Sequence, residues 1–481
     1  MNLLADHAAD DNPEQMRRQA IRLQLAIGIG LSLAVGALWL EIPSPFLILG
    51  LAFAPLAIIT VLRAPFILCV TFISFSFFRL HEIFTPLEPL HLPLVLAVVS
   101  IIVMVILLAT GRAQPYWRPE LTVLSLFAAL ATIGIAFAVD RPRSLEFWLD
   151  TFSKTVLMVF AIAWCARAPK DLVLASKLFV LCGILVASVA IWNKLHGLDL
   201  VEGTRVTIGR DSKALLGDPN DLALVLLFPM SFAAAYMISP GIGFATRLMG
   251  TSGTVAIFWA ILATQSRGGL LGLAAVFAVF SSRLIKSRVL LLAIGVGAAV
   301  ALYTFDNIDS RSSGGAAEEG IDASSQGRLD AWKAAVRMAA AHPATGMGLN
   351  NFSPSYFYYT DNWGGHDMAV HSTWFGVLAE TGPIGLVLFV TMVTMTVRRS
   401  VRLLTRLRAE RRAGVAINPE ISALAHAIVA ALASFIVSGT FLTQAFTWPI
   451  YILISLALAM TRFGELNMLG PSPSPGPDGN P

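Results

Sequence analysis

Two parts of the chain carry arginines in settings suited to binding phosphate. Arg205 and Arg210 precede the tetrapeptide DPND at residues 218–221, and Arg267 lies in SRGG between two apolar runs separated by only a few residues. A guanidinium group pairs with phosphate through two parallel hydrogen bonds, so these arginines are candidates for holding a diphosphate. The alternatives are a snorkelling or structural ion-pair role for Arg267 and a solvated loop charge for Arg210.

A histidine and a carboxylate stand at the start of a long apolar run. His371 opens the segment HSTWFGVLAETGPIGL, and imidazole suits proton transfer near neutral pH, which makes His371 a candidate base for a hydroxyl group. The alternative is an interfacial histidine that satisfies a helix start. Glu380 lies further in, where a carboxylate must be paired or face a cavity. We favour a packing or hinge role for it beside Gly382 and Pro383.

Other polar and small residues in these motifs have structural explanations. The DPND residues 218–221 lie where a helix begins, so helix capping accounts for them. The glycines at 268, 269 and 272 permit close packing of helices. The sequence contains no clear metal-ligand cluster, and we expect no cofactor.

The composition indicates the environment of these residues. Of the 481 residues, 56% are hydrophobic and 13% are charged, whereas a soluble chain has roughly a quarter of its residues charged. So few charges cannot cover a globular surface in water, but lipid requires no charged cover. The formal net charge of +4 is an orientation signal here, and we expect no nucleic-acid partner.

Apolar runs predict an all-α integral membrane protein with about 12–14 transmembrane helices. The runs 45–61 and 65–78 are the exception, because Arg63 and Pro65 separate them and they could form one re-entrant feature. The runs lie at 23–40, 45–61, 65–78, 92–110, 121–139, 151–166, 172–192, 221–238, 249–265, 268–281, 289–303, 372–397, 421–439 and 446–461.

The basic residues predict the orientation of these helices. With a cytoplasmic amino terminus, twenty basic residues fall in cytoplasmic segments and only four, Arg79, Arg141, Arg143 and Arg267, in short outer loops. This bias agrees with the positive-inside rule and predicts that both termini are cytoplasmic.

The predicted segments follow from that orientation. They are a cytoplasmic tail 1–22, transmembrane helices 1–11 within 23–303, a large outer loop 304–371, transmembrane helices 12–14 within 372–461, and a disordered cytoplasmic tail 462–481. A second long outer loop, 193–220, contains the first two candidate arginines.

Loop 304–371 contains a helical pattern. Leu329, Trp332, Val336 and Ala339 recur at helical spacing and predict a short amphipathic helix at the outer membrane surface.

The placement of the candidate residues restricts the substrate. The cytoplasmic segments are too small to hold a nucleotide, and no ATP is available on the outer face. An activated substrate must therefore arrive through the membrane, as polyprenyl-diphosphate-linked sugars do. Such a site needs cations for the diphosphate leaving group and a base for an acceptor hydroxyl.

Four stretches resemble the superfamily of O-antigen ligases, Wzy-type polymerases and protein O-oligosaccharyltransferases. They are SRGG at 266–269, DPND at 218–221, GRLDAWKAA with HPATGMGLNNF within 327–352, and HSTWFGVLAETGPIG at 371–385. His371-Ser372 followed after nine residues by Gly382 resembles the histidine motif of that group. The resemblance spans residues 200–390.

The resemblance implies inverting, metal-independent glycan transfer at the periplasmic face of a bacterial inner membrane. The donor would be an undecaprenyl-diphosphate-linked glycan, and the acceptor a glycan, lipid A-core or protein. Arg210 and Arg267 would hold the diphosphate, with Arg205 as the alternative first arginine, and His371 would act as the base. Arg328 would add a contact to donor or glycan, with Glu380 as a further supporting residue.

Three readings of the function remain open. We favour ligase-like transfer. A Wzy-type polymerase is the nearly equal alternative, because about fourteen helices exceed the twelve usual for the ligases. A transporter or lipid-linked glycan flippase would place charges at the membrane midplane and often show inverted repeats. Here the candidate charges cluster at the outer edge, and we find no repeat.

Overall fold

The computed structural model describes residues 29–30, 65–83, 92–111, 113, 115–210, 215–282, 321–361, 363 and 368–466. The predictions for the runs 23–40, 45–61 and 289–303, for residues 1–22 and 467–481, and for the first part of loop 304–371 fall outside these residues, apart from 29–30. The chain divides into two units, Met1–Pro65 and Phe66–Pro481, and the architecture below is that of the second.

Helices make up most of the described part of the chain. They are α1 Pro65–Ser76, α2 Leu80–Ile83, α3 Leu92–Ala109, α4 Pro119–Phe137, α5 Arg141–Phe147, α6 Ser153–Cys165, α7 Pro169–His196, α8 Pro219–Ile238, α9 Phe244–Thr264, α10 Arg267–Ser281, α11 Ile321–Ala341, α12 Phe352–Tyr359, α13 Thr373–Arg412, α14 Pro419–Ser438 and α15 Trp448–Glu465. Strands β1 Leu200–Val201 and β2 Arg205–Val206 pair antiparallel, with Leu200 opposite Val206.

Eight helical segments in the described ranges are long and apolar enough to cross a membrane. They confirm the prediction of an all-α integral membrane protein. Proline at the first helical position marks several of their starts, including Pro119, Pro169 and Pro219, because a proline there gives up no intrahelical hydrogen bond. The segments are α3, α4, α5 joined to α6, α7, α8, α9, α13 and α14.

One predicted run begins much earlier than the sequence indicates. The π-helical turn Trp148–Phe152 joins α5 to α6, so the run expected at 151–166 is part of a continuous segment from Arg141 to Cys165. Asp140 caps its start by accepting a hydrogen bond from the backbone N–H of Arg143. The prediction missed this extension because charged residues interrupt the apolar pattern of α5.

Helix α8 lies at the centre of the packed helices. In its most apolar stretch of 18 residues, 83% of the residues are buried. The helix contacts α7, α9, α10 and α14. A helix that is apolar on all sides fits such a central position. The segment that follows the candidate arginines of loop 193–220 is therefore firmly held.

Helix α13 contains a break at Gly382. Its φ of 70° lies in the left-handed region that favours glycine, and Pro383 follows directly. A Cβ at Gly382 would come within 3.0 Å of the carbonyl oxygen of Pro343. The break therefore lets the segment after α11 pass close to the backbone of α13.

The predicted helix in loop 304–371 is present as α11, but its packed face differs from the predicted stripe. Leu329 and Val336 are 48% and 49% exposed. The buried face is formed largely by small residues, Ala331, Ala334 and Ala335 among them, because small side chains allow helix backbones to approach closely. That face packs against α13. The placement of α11 at the outer membrane surface stays a prediction.

Candidate functional site

Arg267 is the first residue of α10, and its neighbours fix the turn that presents it. Gln265 has a φ of 52°, an uncommon backbone conformation for a residue other than glycine. The Ser266 hydroxyl caps α10 by accepting from the N–H of Gly269 at 3.2 Å and donates to Oδ1 of Asn220 at 2.8 Å. The start of α10 is therefore tied to the start of α8.

Arg205 reaches the same junction from the hairpin of loop 193–220. Its Nε donates to the carbonyl oxygen of Thr264 at 3.3 Å, and its Nη2 lies 3.4 Å from Oδ1 of Asn220. Asn220 thus receives hydrogen bonds from both Arg205 and Ser266. The hairpin arginine and the SRGG motif meet at one amide side chain.

Arg210 is exposed and lies where the hairpin returns to α8. The N–H of Ile208 donates to the carbonyl oxygen of Leu216 at 2.9 Å, and a Cβ on Gly217 would lie 3.1 Å from the Cα of Arg210. Asp218 follows, and its carboxylate accepts from the N–H groups of Asn220 and Asp221, which confirms the capping prediction. All three arginines therefore belong to segments that meet near the start of α8.

His371 precedes α13 in a left-handed conformation, with a φ of 46°. Such a conformation costs on the order of 1–3 kcal/mol and persists only where surrounding contacts enforce it. One contact is the 3.2 Å hydrogen bond from Nε1 of Trp332 to the carbonyl oxygen of Val370. The Trp332 ring also stacks on Phe375, with ring centroids 5.0 Å apart. Contacts on both sides of His371 therefore hold it in place.

Thr373, two residues after His371, anchors α13 to the connection between α14 and α15. The N–H of Thr373 donates to the carbonyl oxygen of Gly439 at 2.7 Å. Its hydroxyl donates to the carbonyl oxygen of Leu442 at 2.8 Å and accepts from the N–H of Gln444 at 3.0 Å. Thr373 is fully buried. The start of α13 is therefore fixed to residues 439–444.

Leu442 joins the two motifs that the sequence singled out. Its carbonyl accepts the hydrogen bond from Thr373, and its side chain packs on Gly268, where a Cβ would lie 2.9 Å from Cγ of Leu442. Gly268 directly follows Arg267, and Thr373 is two residues after His371. The structure therefore brings the SRGG and HST motifs to one bridging residue.

Arg328 lies on α11 near the same end of α13. It is one helical turn from Trp332, which holds Val370, and a Cβ on the adjacent Gly327 would come within 2.5 Å of the Met368 methyl group. Arg328 therefore lies beside the segment that leads into His371. The two residues are far apart in the sequence, so the sequence pattern alone did not indicate this proximity.

Glu380 binds backbone groups of the segment that follows α11. Its carboxylate accepts from the N–H of Asn350 at 3.0 Å and from that of Phe352 at 3.4 Å. The Asn351 side chain in turn contacts the start of α5, where Oδ1 accepts from the N–H of Asp140. Glu380 thus holds residues 350–352 between α13 and α5, which is a structural use of the carboxylate.

Sequence reasoning missed two residues that connect the site. Asn220 was explained by capping alone, although it also links Arg205 to Ser266. Leu442 gave no signal of its own, but the polar stretch TFLTQ around it interrupts two apolar runs. Within the described residues, no group of three or more His, Cys, Asp or Glu side chains could hold a metal ion.

Comparison with known proteins bears on the segments that form this site. No curated protein matches the chain. Residues 252–390 match the family model described as O-antigen ligase. The match includes SRGG, α11, residues 350–352 that Glu380 holds, and the HST motif. It includes neither arginine of loop 193–220. This match supports membership of the O-antigen ligase superfamily.

Proposed function

We propose that this chain transfers a glycan from an undecaprenyl-diphosphate-linked donor to an acceptor hydroxyl at the periplasmic face of a bacterial inner membrane. The observation that carries the proposal is the bridge through Leu442, which connects the helix starts beside Arg267 and His371. A cation for the leaving group and a base for the acceptor are thereby held in one region.

The proposed roles follow from the geometry of each residue. Arg267 and the exposed Arg210 bind the diphosphate, because guanidinium matches phosphate oxygens bidentately. Arg205 positions the turn before Arg267 through its bonds to Thr264 and Asn220. The starts of α8, α10 and α13 add favourable dipoles for an anion near this region.

In the proposed step, the acceptor oxygen forms a bond to the anomeric carbon as the bond from that carbon to the diphosphate oxygen breaks. Attack from the face opposite the diphosphate inverts the configuration. The hydroxyl proton passes to His371, and the arginines stabilise the charge on the departing undecaprenyl diphosphate. Because the arginines supply the positive charge, the step requires no metal ion. Arg328 contacts the donor or its glycan.

The acceptor distinguishes a ligase from a polymerase. In a Wzy-type polymerase the acceptor hydroxyl belongs to a second lipid-linked glycan, whereas in a ligase it belongs to lipid A-core or to a protein. The site chemistry is the same in each case. Assays with defined acceptors therefore test the alternative directly.

The proposal is tested with the purified full chain, a lipid-linked glycan donor and defined acceptors, without ATP. R267A and H371A should lower the transfer rate by roughly 10²–10³-fold, the usual cost of removing a transition-state charge stabiliser or general base. The exposed Arg141 and His196 provide the controls R141A and H196A, which should transfer at the normal rate.

Three results would contradict the proposal. Full activity in both R267A and H371A would exclude the assigned roles. Loss of transfer in EDTA that magnesium restores would exclude metal-independent chemistry. Movement of intact donor across the membrane without transfer would instead support a flippase.

A further inference from the structure

A cavity of about 540 Å³ lies at the far end of α13 from His371. It is enclosed by the start of α4, the second half of α13 and the end of α15. Its volume falls within the roughly 300–1,000 Å³ of small-molecule sites. The lining residues are Glu120, Met395, Arg398, Arg399, Arg402, Leu403, Arg406, Thr461 and Glu465.

The cavity is separate from the candidate glycan-transfer site. Arg398 lies 25 residues after Thr373 along α13, which corresponds to about 38 Å of helix at 1.5 Å per residue. The hydrocarbon core of a bilayer is about 30 Å thick. If α13 crosses the bilayer, the cavity and His371 therefore lie at opposite membrane faces.

Two of the four arginines in the cavity have carboxylate partners. Nε of Arg399 lies 2.5 Å from Oε1 of Glu120, a residue that is 2% exposed, and Arg406 pairs with Glu410 at 2.6 Å. The remaining lining acid, Glu465, is bound by Arg118 from outside the cavity. The acidic groups around the cavity are therefore already engaged.

Arg398 and Arg402 form no ion pair with any residue that the structure describes. They are one helical turn apart on the same face of α13 and are both exposed. Like charges four residues apart on a helix repel each other, and Arg406 continues the row by another turn. An anion in the cavity would relieve this repulsion.

The form of the cavity indicates the chemical class of the anion. Guanidinium groups bind phosphate oxygens in a planar, bidentate arrangement. Met395 and Leu403 supply apolar surface in the same cavity, which suits the glycerol and upper acyl carbons of a lipid better than a free phosphate ion. Basic pockets between transmembrane helices are known sites for anionic lipid headgroups.

We propose that Arg398 and Arg402 bind the phosphate of an anionic phospholipid in the cavity between α4, α13 and α15. The bound headgroup neutralises the row of arginines and fills the space between the three helices. This role is independent of glycan transfer.

The test uses the purified full chain and measures retention of phosphatidylglycerol against phosphatidylcholine by native mass spectrometry. The double variant R398Q/R402Q should weaken phosphatidylglycerol binding by roughly thirtyfold, since each basic residue at a membrane surface contributes about a factor of five. R411Q/R412Q is the matched control, because it removes two exposed arginines of α13 that do not line the cavity.

The outcomes separate a lipid site from the alternatives. A loss in R398Q/R402Q with retention in R411Q/R412Q near that of the unmodified chain supports the proposal. Unchanged binding in a folded R398Q/R402Q overturns it, and so does an equal loss in both double variants, which would indicate unspecific surface attraction. Displacement of the lipid by millimolar inorganic phosphate would also overturn it, because the site would then select free phosphate. If R398Q/R402Q fails to fold, R398Q alone should weaken binding about fivefold, and unchanged binding in it contradicts the proposal.

Discussion

The hydroxyl of Thr373 donates a 2.8 Å hydrogen bond to the carbonyl oxygen of Leu442. Through the Leu442 side chain, which packs on Gly268, this bond connects the start of α13 to the start of α10. The relative position of His371 and Arg267 therefore depends on a contact between segments that are 69 residues apart in the chain.

The first prediction tests this bridge with T373V. Valine keeps the side-chain shape but leaves the Leu442 carbonyl and the Gln444 N–H without their partner, and a buried unsatisfied group costs about 1–3 kcal/mol. We expect a lower thermal unfolding midpoint and a transfer rate reduced at least about tenfold. T373S retains the hydroxyl and should restore most of the rate. A normal rate in T373V would show that the bridge does not position the site.

The second prediction concerns the close packing at SRGG. A Cβ on Gly269 would lie 2.6 Å from the Cβ of Ala223, an atom that can move only with its backbone. G269A should therefore lower stability by about 1–3 kcal/mol, as overpacking does, and reduce transfer by displacing the turn at Arg267. G243A is the control, because open space surrounds Gly243. Thermal unfolding in detergent checks both, and equal midpoints for the two variants would contradict the packing argument.

The sequence was sufficient where a local signal existed. Some signals depend only on a few neighbouring residues and can therefore be recognised in a single sequence. They are the cap at Asp218, the prolines that begin α4 and α7, and the apolar runs. The break at Gly382 was also indicated, because glycine followed by proline disrupts a helix locally.

Contacts between distant segments could not be predicted in this way. Nothing in the pattern around Leu442 indicates that it meets Gly268, and Asn220 gave only its capping signal. The face of α11 was partly misassigned because hydrophobicity alone favours Leu329, whereas close packing on α13 selects alanine. The arginines of the cavity between α4, α13 and α15 were interpreted only as an orientation signal, because their convergence with α4 and α15 is visible only in the folded chain.

The third prediction separates a structural from a chemical role for Glu380. Its carboxylate accepts from two backbone N–H groups, whereas the amide in E380Q offers one acceptor and one donor group. We expect a loss of about 1–3 kcal/mol in stability and faster hydrogen exchange at the amides of Asn350 and Phe352. The exposed Glu146 gives the control E146Q. A loss of transfer above about a hundredfold without a change in stability would instead place Glu380 in the chemistry.

The last prediction addresses how His371 is oriented. W332F keeps an aromatic ring against Phe375 but removes the Nε1 donor that holds the carbonyl oxygen of Val370, directly before His371. A net hydrogen bond contributes about 0.5–1.5 kcal/mol, so transfer at saturating donor should fall roughly threefold to tenfold. W332A also loses the stacked ring and should fall further.

The control for this prediction is W192F, because Trp192 is 58% exposed and stacks only on His196 among the ring contacts of the described residues. Its transfer rate should equal that of the unmodified chain. If W332F transfers as fast as W192F, the Trp332 hydrogen bond does not hold His371. The left-handed backbone at φ 46° must then be maintained mainly from the other side, through the bonds of Thr373 to residues 439–444.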